Sequence, residues 1–462
     1  MPIILRYAPS ALITFIVIPA STPESSGVKR LWVKPAMTRS INAIYPYLYF
    51  TKHLGKTTIK QTKGSDLIMR YTGVTSRGII TPIFQQGDDL VGKVCQSVCD
   101  ASKNEGFPIN DGDIIGVTEA VVGRTQGNYA TCEQIAADIR AKLGGEDMGI
   151  VFPIMSRNRF SILLKAIAMG CKKLYIQMSY PSDEVGNQLV SWDDIDEKGV
   201  NPYSDNFTQE QFRAVFGSEK TVHHFTGVDY IEYYKSFGDH IEIIFSNDPR
   251  HILQYTKNVL TCDIHTRERS ARMLKAAGAQ RVFRMDQIMT SSVEGSGYND
   301  KYGLLGSNKA TEDKVKLFPI KTREFVDALQ AAVLNATGKH VEVLVYGDGG
   351  YKDPVGGIWE LADPVISPAY TSGLEGTPNE LKMKYFADND FADLSGAELA
   401  AAMRDKIKQK NDNLVGQMAA QGTTPRQLSD LVGSLCDLTS GSGDRGTPVI
   451  LIQGYFTNYA ED

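Results

Sequence analysis

The sequence predicts a mixed α+β / α/β fold, on three observations. From about Ile68 onward, short apolar runs of strand type alternate with amphipathic runs of helical spacing. Glycines punctuate these runs at strand exits and helix stops. The alternation is densest between residues 147 and 290, which marks that stretch as an α/β unit with a mostly parallel sheet. At 462 residues the chain is long enough for two or three domains.

The elements follow in order. Residues 1–64 lack sustained periodicity and read as an N-terminal extension, poorly ordered or created by a misassigned start. Their longest apolar run, ALITFIVIPA (11–20), is too short to span a bilayer, and nothing downstream looks adapted to an oxidising space. Residues 65–146 form a first segment. Within it DGDIIGVTEAVVGRTQGN (111–128) reads as a strand entered from an Asp-Gly turn and left through a polar loop. CEQIAADIRAKLGG (132–145) is then a helix with a glycine stop. In the middle unit MGIVFPI, KLYIQM, IEIIFS and NVLTCDI read as strands, and FSILLKAIAMG, PRHILQYTKN and RERSARMLKAAG as helices. Residues 291–462 form the last segment. It predicts a helix over 321–340 leading into the strand VEVLVY (341–346), then a long helix over 395–418. Thr424-Pro425-Arg426-Gln427 is a capping-box helix start, and the strand PVILIQGY (448–455) closes the fold.

Composition narrows the function. Hydrophobic residues at 42% and charged residues at 22% suit a soluble globular protein. A net charge of -5 gives no general attraction to nucleic acid or anionic membranes, so neither is an expected partner. Six scattered cysteines without CxxC pairs read as reduced thiols, which points to the cytoplasm.

Four clusters look chemical. GDGGYKDPVGGIWELADP (347–364) follows a strand and combines five glycines with Asp348, Lys352, Asp353, Glu360 and Asp363. Glycines allow close backbone approach to a ligand, and carboxylates at a strand end suit Mg²⁺ or Mn²⁺. Asp348, Asp353 and Glu360 are therefore the candidate metal ligands. YGLLGSNKATEDKVKLFP (302–319) offers Gly306, Ser307, Asn308 and Lys309 as donors for an anion, or else a turn before the next element. The SGSGDRG turn (440–446) offers Gly441, Ser442 and Gly443. Thr118 and Arg124 stand near a strand exit where a phosphate could be met, although a lone arginine also serves as a surface ion-pair partner. No Walker-type loop or spaced G-x-G-x-x-G occurs in the 347–364 cluster, so it is not a P-loop.

Read together, these segments resemble the γ-glutamyl ligase family that adds glutamate to the precursor of the deazaflavin coenzyme F(420). PIFQQGDDL (82–90) resembles the family's P-x-I-x-x-G-D-D-L opening, and the 111–128 segment its D-G-D-x-x-x-x-T-x-x-x-x-S-K-A-E-G, with Arg124 at the lysine. LLGSNKAT resembles G-I-D-A-S-N-V, TGKHVEVLVYGDGG resembles T-G-K-x-V-x-V-x-x-x-D-T-x-G, and SGSGDRGTPVILIQG resembles G-E-G-x-D-G-x-P-x-x-x-x-R-G. The resemblance implies a γ-glutamyl-ligase-like core into which a Rossmann-like α/β domain (147–290) is inserted. It also implies a GTP-dependent ligase that uses Mg²⁺ or Mn²⁺, passes through an acyl-phosphate, joins L-glutamate to a small-molecule carboxylate and works as a homodimer. In this frame Asp348 falls on a metal-binding aspartate, and Asp348, Arg124 and Lys309 are the candidate catalytic residues. Two positions depart from the pattern: Leu305 stands where the family has its other metal-binding aspartate, and Gly349 replaces a threonine. ATP in place of GTP, folate or another acceptor, and a non-catalytic protein that binds a nucleotide or anionic metabolite are the alternatives.

The middle unit suggests a second ligand site. In a parallel sheet, its strand exits SRNR, YPSDEVGN, SNDPR and DIHTR share the carboxyl edge, where open α/β folds bind ligands. Arg157, Asn158, Arg159, Asn247, Asp263 and Arg267 are its candidate contacts, with helix capping and solvated arginines as the alternative.

Overall fold

The computed structural model describes residues 71–461, apart from 158, 220, 221, 224, 225, 349, 353–358, 362–364, 421–425 and 442–444; for 350–352 and 359–361 it describes the backbone alone. The expectation for residues 1–64 therefore lies outside the described residues, as do Asn158, Asp353, Ser442, Gly443, the side chain of Glu360 and the Thr424-Pro425 signal.

In chain order the first elements are β1 (Thr75–Ile79), α1 (Leu90–Glu105), β2 (Ile114–Thr118), α2 (Glu119–Gln126), β3 (Tyr129–Thr131) and α3 (Cys132–Leu143). The middle stretch contains β4 (Asp147–Val151), α4 (Phe160–Met169), β5 (Lys173–Met178), α5 (Trp192–Lys198), β6 (Phe207–Thr208), α6 (Gln209–Phe216), α7 (Tyr230–Lys235), β7 (Ile241–Phe245), β8 (Asn258–Thr261), α8 (Arg267–Ala276) and β9 (Arg281–Arg284). The last stretch contains β10 (Asn308–Lys309), β11 (Lys314–Lys316), α9 (Thr322–Thr337), β12 (Glu342–Tyr346), β13 (Gly350–Lys352), β14 (Trp359–Leu361), β15 (Ala369–Tyr370), α10 (Met383–Asp388), α11 (Gly396–Lys408), α12 (Leu428–Ser440) and β16 (Val449–Gln453).

Two larger sheets organise these elements, and the mixed α/β expectation holds. One has the order β1-β16-β2-β12-β15 and the other β6-β7-β5-β4-β8-β9. In the second sheet β7, β5, β4, β8 and β9 are parallel and only β6 is antiparallel. Continuous apolar stretches such as Met148–Val151 and Leu174–Met178 are fully buried, as strands covered on both faces must be. In the first sheet β2 and β12 run parallel while β16 opposes β2. Helix α12 closes tightly on it: a Cβ at Gly116 would lie 2.4 Å from Cys436 Sγ, so only glycine fits in β2 there.

The apolar cores do not follow the segment boundaries of the sequence. One buried cluster runs from Ala130 and Ile135 of β3 and α3, through the six-stranded sheet, to Leu304, Leu305, Val315 and Leu317. The helix predicted over 132–145 thus packs against α4 of the middle stretch. A small sheet, β10-β11-β3, ties the ends of the first and last segments together.

Several local expectations need correction. The polar loop expected after β2 is α2, because Glu119 begins a helical run that Gly127 stops at φ 66°. The helix expected over 395–418 ends at Lys408, where Asn379 and Asn413 side chains bond loop backbone at 408–418 instead. PRHILQYTKN forms only a 3₁₀ stretch, Pro249–Gln254. Strands β6 and β9 were not predicted; both are short, and RVFR has no apolar run to betray it.

Candidate functional site

At one edge of the five-stranded sheet, β2 and β12 end and β16 begins. Tyr346 pairs with Thr118 across the parallel ladder, and the Thr118 amide donates to the Pro448 carbonyl at 3.0 Å. Three of the segments singled out from sequence therefore leave the sheet side by side: Thr118 into α2, Tyr346 into Gly347-Asp348, and the 440–448 turn into β16. Gly441 stands exposed at the end of α12, φ 62°, at the start of that turn.

The 303–309 loop reaches the same place by another route. Gly303 rests on the backbone just after β9, where a Cβ would lie 2.5 Å from the Ile288 carbonyl. The Leu304 amide donates to Met285 at 3.0 Å, and Ser307 Oγ turns back to donate to Leu304 at 2.6 Å. Ser307 is buried, so its hydroxyl serves the loop. Gly306 adopts φ 72°, and Asn308 then enters β10 opposite Lys316.

Two cation–carboxylate pairs bind these parts together. Lys316 Nζ lies 3.0 Å from Glu119 at the start of α2, with side chains only 11% and 6% exposed. Arg159, from the segment after β4, pairs with Asp348 after β12; Arg159 is 17% exposed and Asp348 49%. Arg159 also lines a small apolar cavity with Ile154, Phe160, Leu163, Leu304 and Leu305, of about 30 Å³. That is room for a water or an ion and far too little for a nucleotide. Sequence reasoning missed both partnerships. Glu119 was hidden inside an apparent loop, and Arg159 and Asp348 lie 189 residues apart.

The other predicted residues are placed less centrally. Arg124 is exposed at the far end of α2, about 9 Å of helix rise from Thr118, and its guanidinium reaches Gln85 Oε1 at 3.5 Å. Arg124 and Thr118 therefore do not share the strand exit as the sequence suggested. Lys309 is exposed and pairs with Glu312 at 2.6 Å. The neighbouring Lys165 of α4 pairs with Asp313, and that hydrogen bond raises its ammonium above the usual lysine range.

At the carboxyl edge of the six-stranded sheet, the strand exits do lie together, but most of their polar groups are occupied. Asn247 Nδ2 donates to the carbonyls of Tyr180 at 2.5 Å and Pro202 at 3.1 Å. Asp183, wholly buried, accepts from the amides of Met155 at 2.8 Å and Asn187 at 2.9 Å. Burial pushes its carboxyl up to about 6. Asp263 is fully buried and accepts from Thr266 at 2.6 Å and Ser270 at 2.9 Å, and burial raises its carboxyl also. Arg267 donates to the Ile264 carbonyl and pairs with Asp286 at 3.2 Å. Arg157 is exposed. A polar pocket of about 320 Å³ lies at the β7 exit, lined by Ser204, Asp205, Asn247, Asp248, Arg250 and His251. Its Arg250 is already held by Asp248 at 2.7 Å.

A family model described as F(420)-0:gamma-glutamyl ligase matches residues 78–454. The chain belongs to that family. The match spans all the segments above, including the six-stranded sheet, and makes the chain a ligase of γ-glutamyl type. Curated proteins give no match to it. Among the described residues of the ligase, no three His, Cys, Asp or Glu side chains gather as a metal site. Leu305, 4% exposed, cannot offer oxygen to a hard cation, and Asp348 already faces a guanidinium. The described donors of the ligase do not fit a two-carboxylate divalent-cation site. All six cysteines are free, and among the described residues no helix is long and apolar enough to cross a membrane.

Proposed function

We propose that the chain is a nucleotide-dependent ligase that forms a γ-glutamyl amide through an acyl-phosphate. The observation that carries this reading is the meeting of Asp348, Arg159, the 303–309 loop and the 440–448 turn at one sheet edge, in a member of this family. A nucleotide γ-phosphoryl group passes to an oxygen of the acceptor carboxylate, leaving a nucleoside diphosphate. The glutamate amine then attacks the acyl carbon and expels phosphate, with loss of a proton; the new amide is γ-glutamyl where the activated carboxylate is the γ-carboxyl of a glutamate already attached to the acceptor. Fixed positive groups that offset charge on the phosphoryl oxygens are what such a reaction needs from a protein. Arg159 is nearest to Asp348, Lys309 follows on the adjoining loop, and Arg124 stands further out. Gly441, Ser442 and Gly443 are proposed to meet the nucleotide, with Thr118 and Asn308 beside them. No step is assigned to Mg²⁺ or Mn²⁺, because the described donors do not form its site. A cytoplasmic homodimer acting on the F(420)-0 carboxylate belongs to the same proposal.

The test mixes the purified chain with GTP or ATP, L-glutamate and F(420)-0, and follows phosphate release and amide product by mass spectrometry. Product formation in Asp348→Ala should fall by about 10²–10³-fold. Nucleotide turnover unchanged in that variant overturns the reading. Leu305 and the Arg159–Asp348 pair favour a second reading, a non-catalytic protein that binds a nucleotide or anionic metabolite. Saturable nucleotide binding with no product from any carboxylate acceptor, folate included, would establish it.

A further inference from the structure

Beyond Gln453 the chain leaves β16 at the end opposite Thr118 and the 440–448 turn, and residues 455–459 there border a pocket of about 720 Å³ shared with α10, α11 and the start of α12. That volume lies in the range of small-molecule sites, about 300–1,000 Å³. Tyr455, Phe456 and Tyr459 give it aromatic walls, and Met383 and Leu428 add aliphatic ones. Phe456 is 42% exposed and Met383 39%, so much of this apolar lining faces water. The rings are held in place: Tyr455 meets Phe456 edge to face with centroids 5.5 Å apart, and the Arg404 guanidinium lies 4.9 Å over Tyr459. The pocket is separate from the strand exits described above, since the five residues of β16 put about 16 Å of strand between them.

The charges of the lining point one way. Lys382, Lys384 and Lys410 stand against the carboxylate of Glu380, which leaves the lining at +2 on a chain whose net charge is -5. Lys410 donates to the Asn379 carbonyl at 2.6 Å, while Lys382 and Lys384, both exposed, enter no ion pair among the described residues. Ammonium groups repel a cationic guest, and apolar walls offer nothing to a bare inorganic anion. A flat ring that carries a phosphate, sulfonate or carboxylate uses both parts of the lining. We propose that this pocket binds a small aromatic anion, with its ring against Phe456 and Tyr459 and its charged group on Lys382 and Lys384. Burial raises the Tyr455 hydroxyl above its usual range, so it keeps its proton at neutral pH and can donate to the same ligand. The proposal does not rest on the ligase reading, because none of the residues assigned to that chemistry lines the pocket.

The experiment titrates 1-naphthyl phosphate into the full chain by calorimetry, with 1-naphthol as the ring-only probe and inorganic phosphate as the anion-only probe. Saturable binding of 1-naphthyl phosphate is expected, at least about tenfold tighter than that of either simpler probe, because ring and charge both contribute. Phe456→Ala should weaken it at least about fivefold. Lys382→Gln with Lys384→Gln should weaken it about tenfold, as should molar salt, and should leave 1-naphthol binding unchanged. Equal affinity for 1-naphthol and 1-naphthyl phosphate overturns the proposal by making the pocket apolar and no more, and equal affinity for inorganic phosphate does so by making it basic and no more. Binding that is unchanged in Phe456→Ala or in the double lysine variant places the probe elsewhere and also sinks it. Absence of saturable binding in wild type is equally decisive, and sedimentation of a dimer that Phe456→Ala dissociates would then give the pocket to a second copy of the chain. Circular dichroism checks that each variant folds, and the exposed lysine pair decides the matter if Phe456→Ala does not.

Discussion

At the carboxyl edge of the six-stranded sheet, Asp183 and Asp263 are buried and bond to their own and neighbouring loops, while Asn247 laces Tyr180 to Pro202. At the edge of the five-stranded sheet, Asp348 stands half exposed, and its partner Arg159 is borrowed from the other sheet. Both edges carry the polar residues that mark a site in sequence, yet they use them oppositely. Where donors and acceptors lie in one loop or in adjoining loops of the same sheet edge, they satisfy each other and build the loops. Where the partner comes from a distant strand, the pair can open without unfolding its own turn. The contrast between local and borrowed partners therefore separates scaffold from candidate chemistry better than residue type does.

That contrast can be broken in several ways, beginning with the large loss of product in Asp348→Ala. The buried Lys316–Glu119 pair belongs to the five-stranded edge but is almost fully desolvated. Lys316→Ala should cost about 3–5 kcal/mol in urea unfolding, because it removes the cation beside a buried carboxylate. Lys316→Met with Glu119→Gln should recover most of that loss; failure to do so would give the pair a role beyond neutralising charge.

The six-stranded edge is tested by pH. Asp183 holds its proton up to about 6, as burial disfavours the carboxylate. An unfolded aspartate titrates near ~4, so between these values the native state binds more protons and stability falls as pH rises. The contribution is fully present below pH ~4 and is lost by pH ~7, a change of about 2–3 kcal/mol from this group. Asp183→Asn removes the titrating group, so the difference between wild-type and variant stabilities should carry that slope. A difference curve that is flat across the window would mean Asp183 is ionised in the fold. The smallest effect belongs to Arg124→Ala, whose side chain is exposed and hydrogen-bonds Gln85. Stability should change by less than about 0.5 kcal/mol. A nucleotide affinity equally unchanged in calorimetry would take Arg124 out of the proposed phosphate contacts.

Much of the fold was legible because it rests on local patterns. The four apolar runs of the middle stretch became parallel strands at the predicted places, and the glycine stop after α3 falls at a left-handed turn. The glycine turn after β12 and the 303–309 loop were visible as clusters of small and polar residues. The site's composition was less legible. Glu119 read as loop because EAVVGRTQ is a helix of only eight residues, too short for periodicity to stand out. Arg159 was recognised as an anion-binding candidate, but its partner was assigned to a metal.

The order of chemical types along the chain was enough to establish family and strand exits, since propensity, periodicity and turn chemistry act over a few residues. Which charges meet was decided only in three dimensions. Arg159 faces Asp348, Lys316 faces Glu119, and Leu305 closes an apolar wall, because two sheets and a small third one bring their ends together. Electrostatic pairing depends on distance and desolvation, and neither is written in the spacing of residues along a chain.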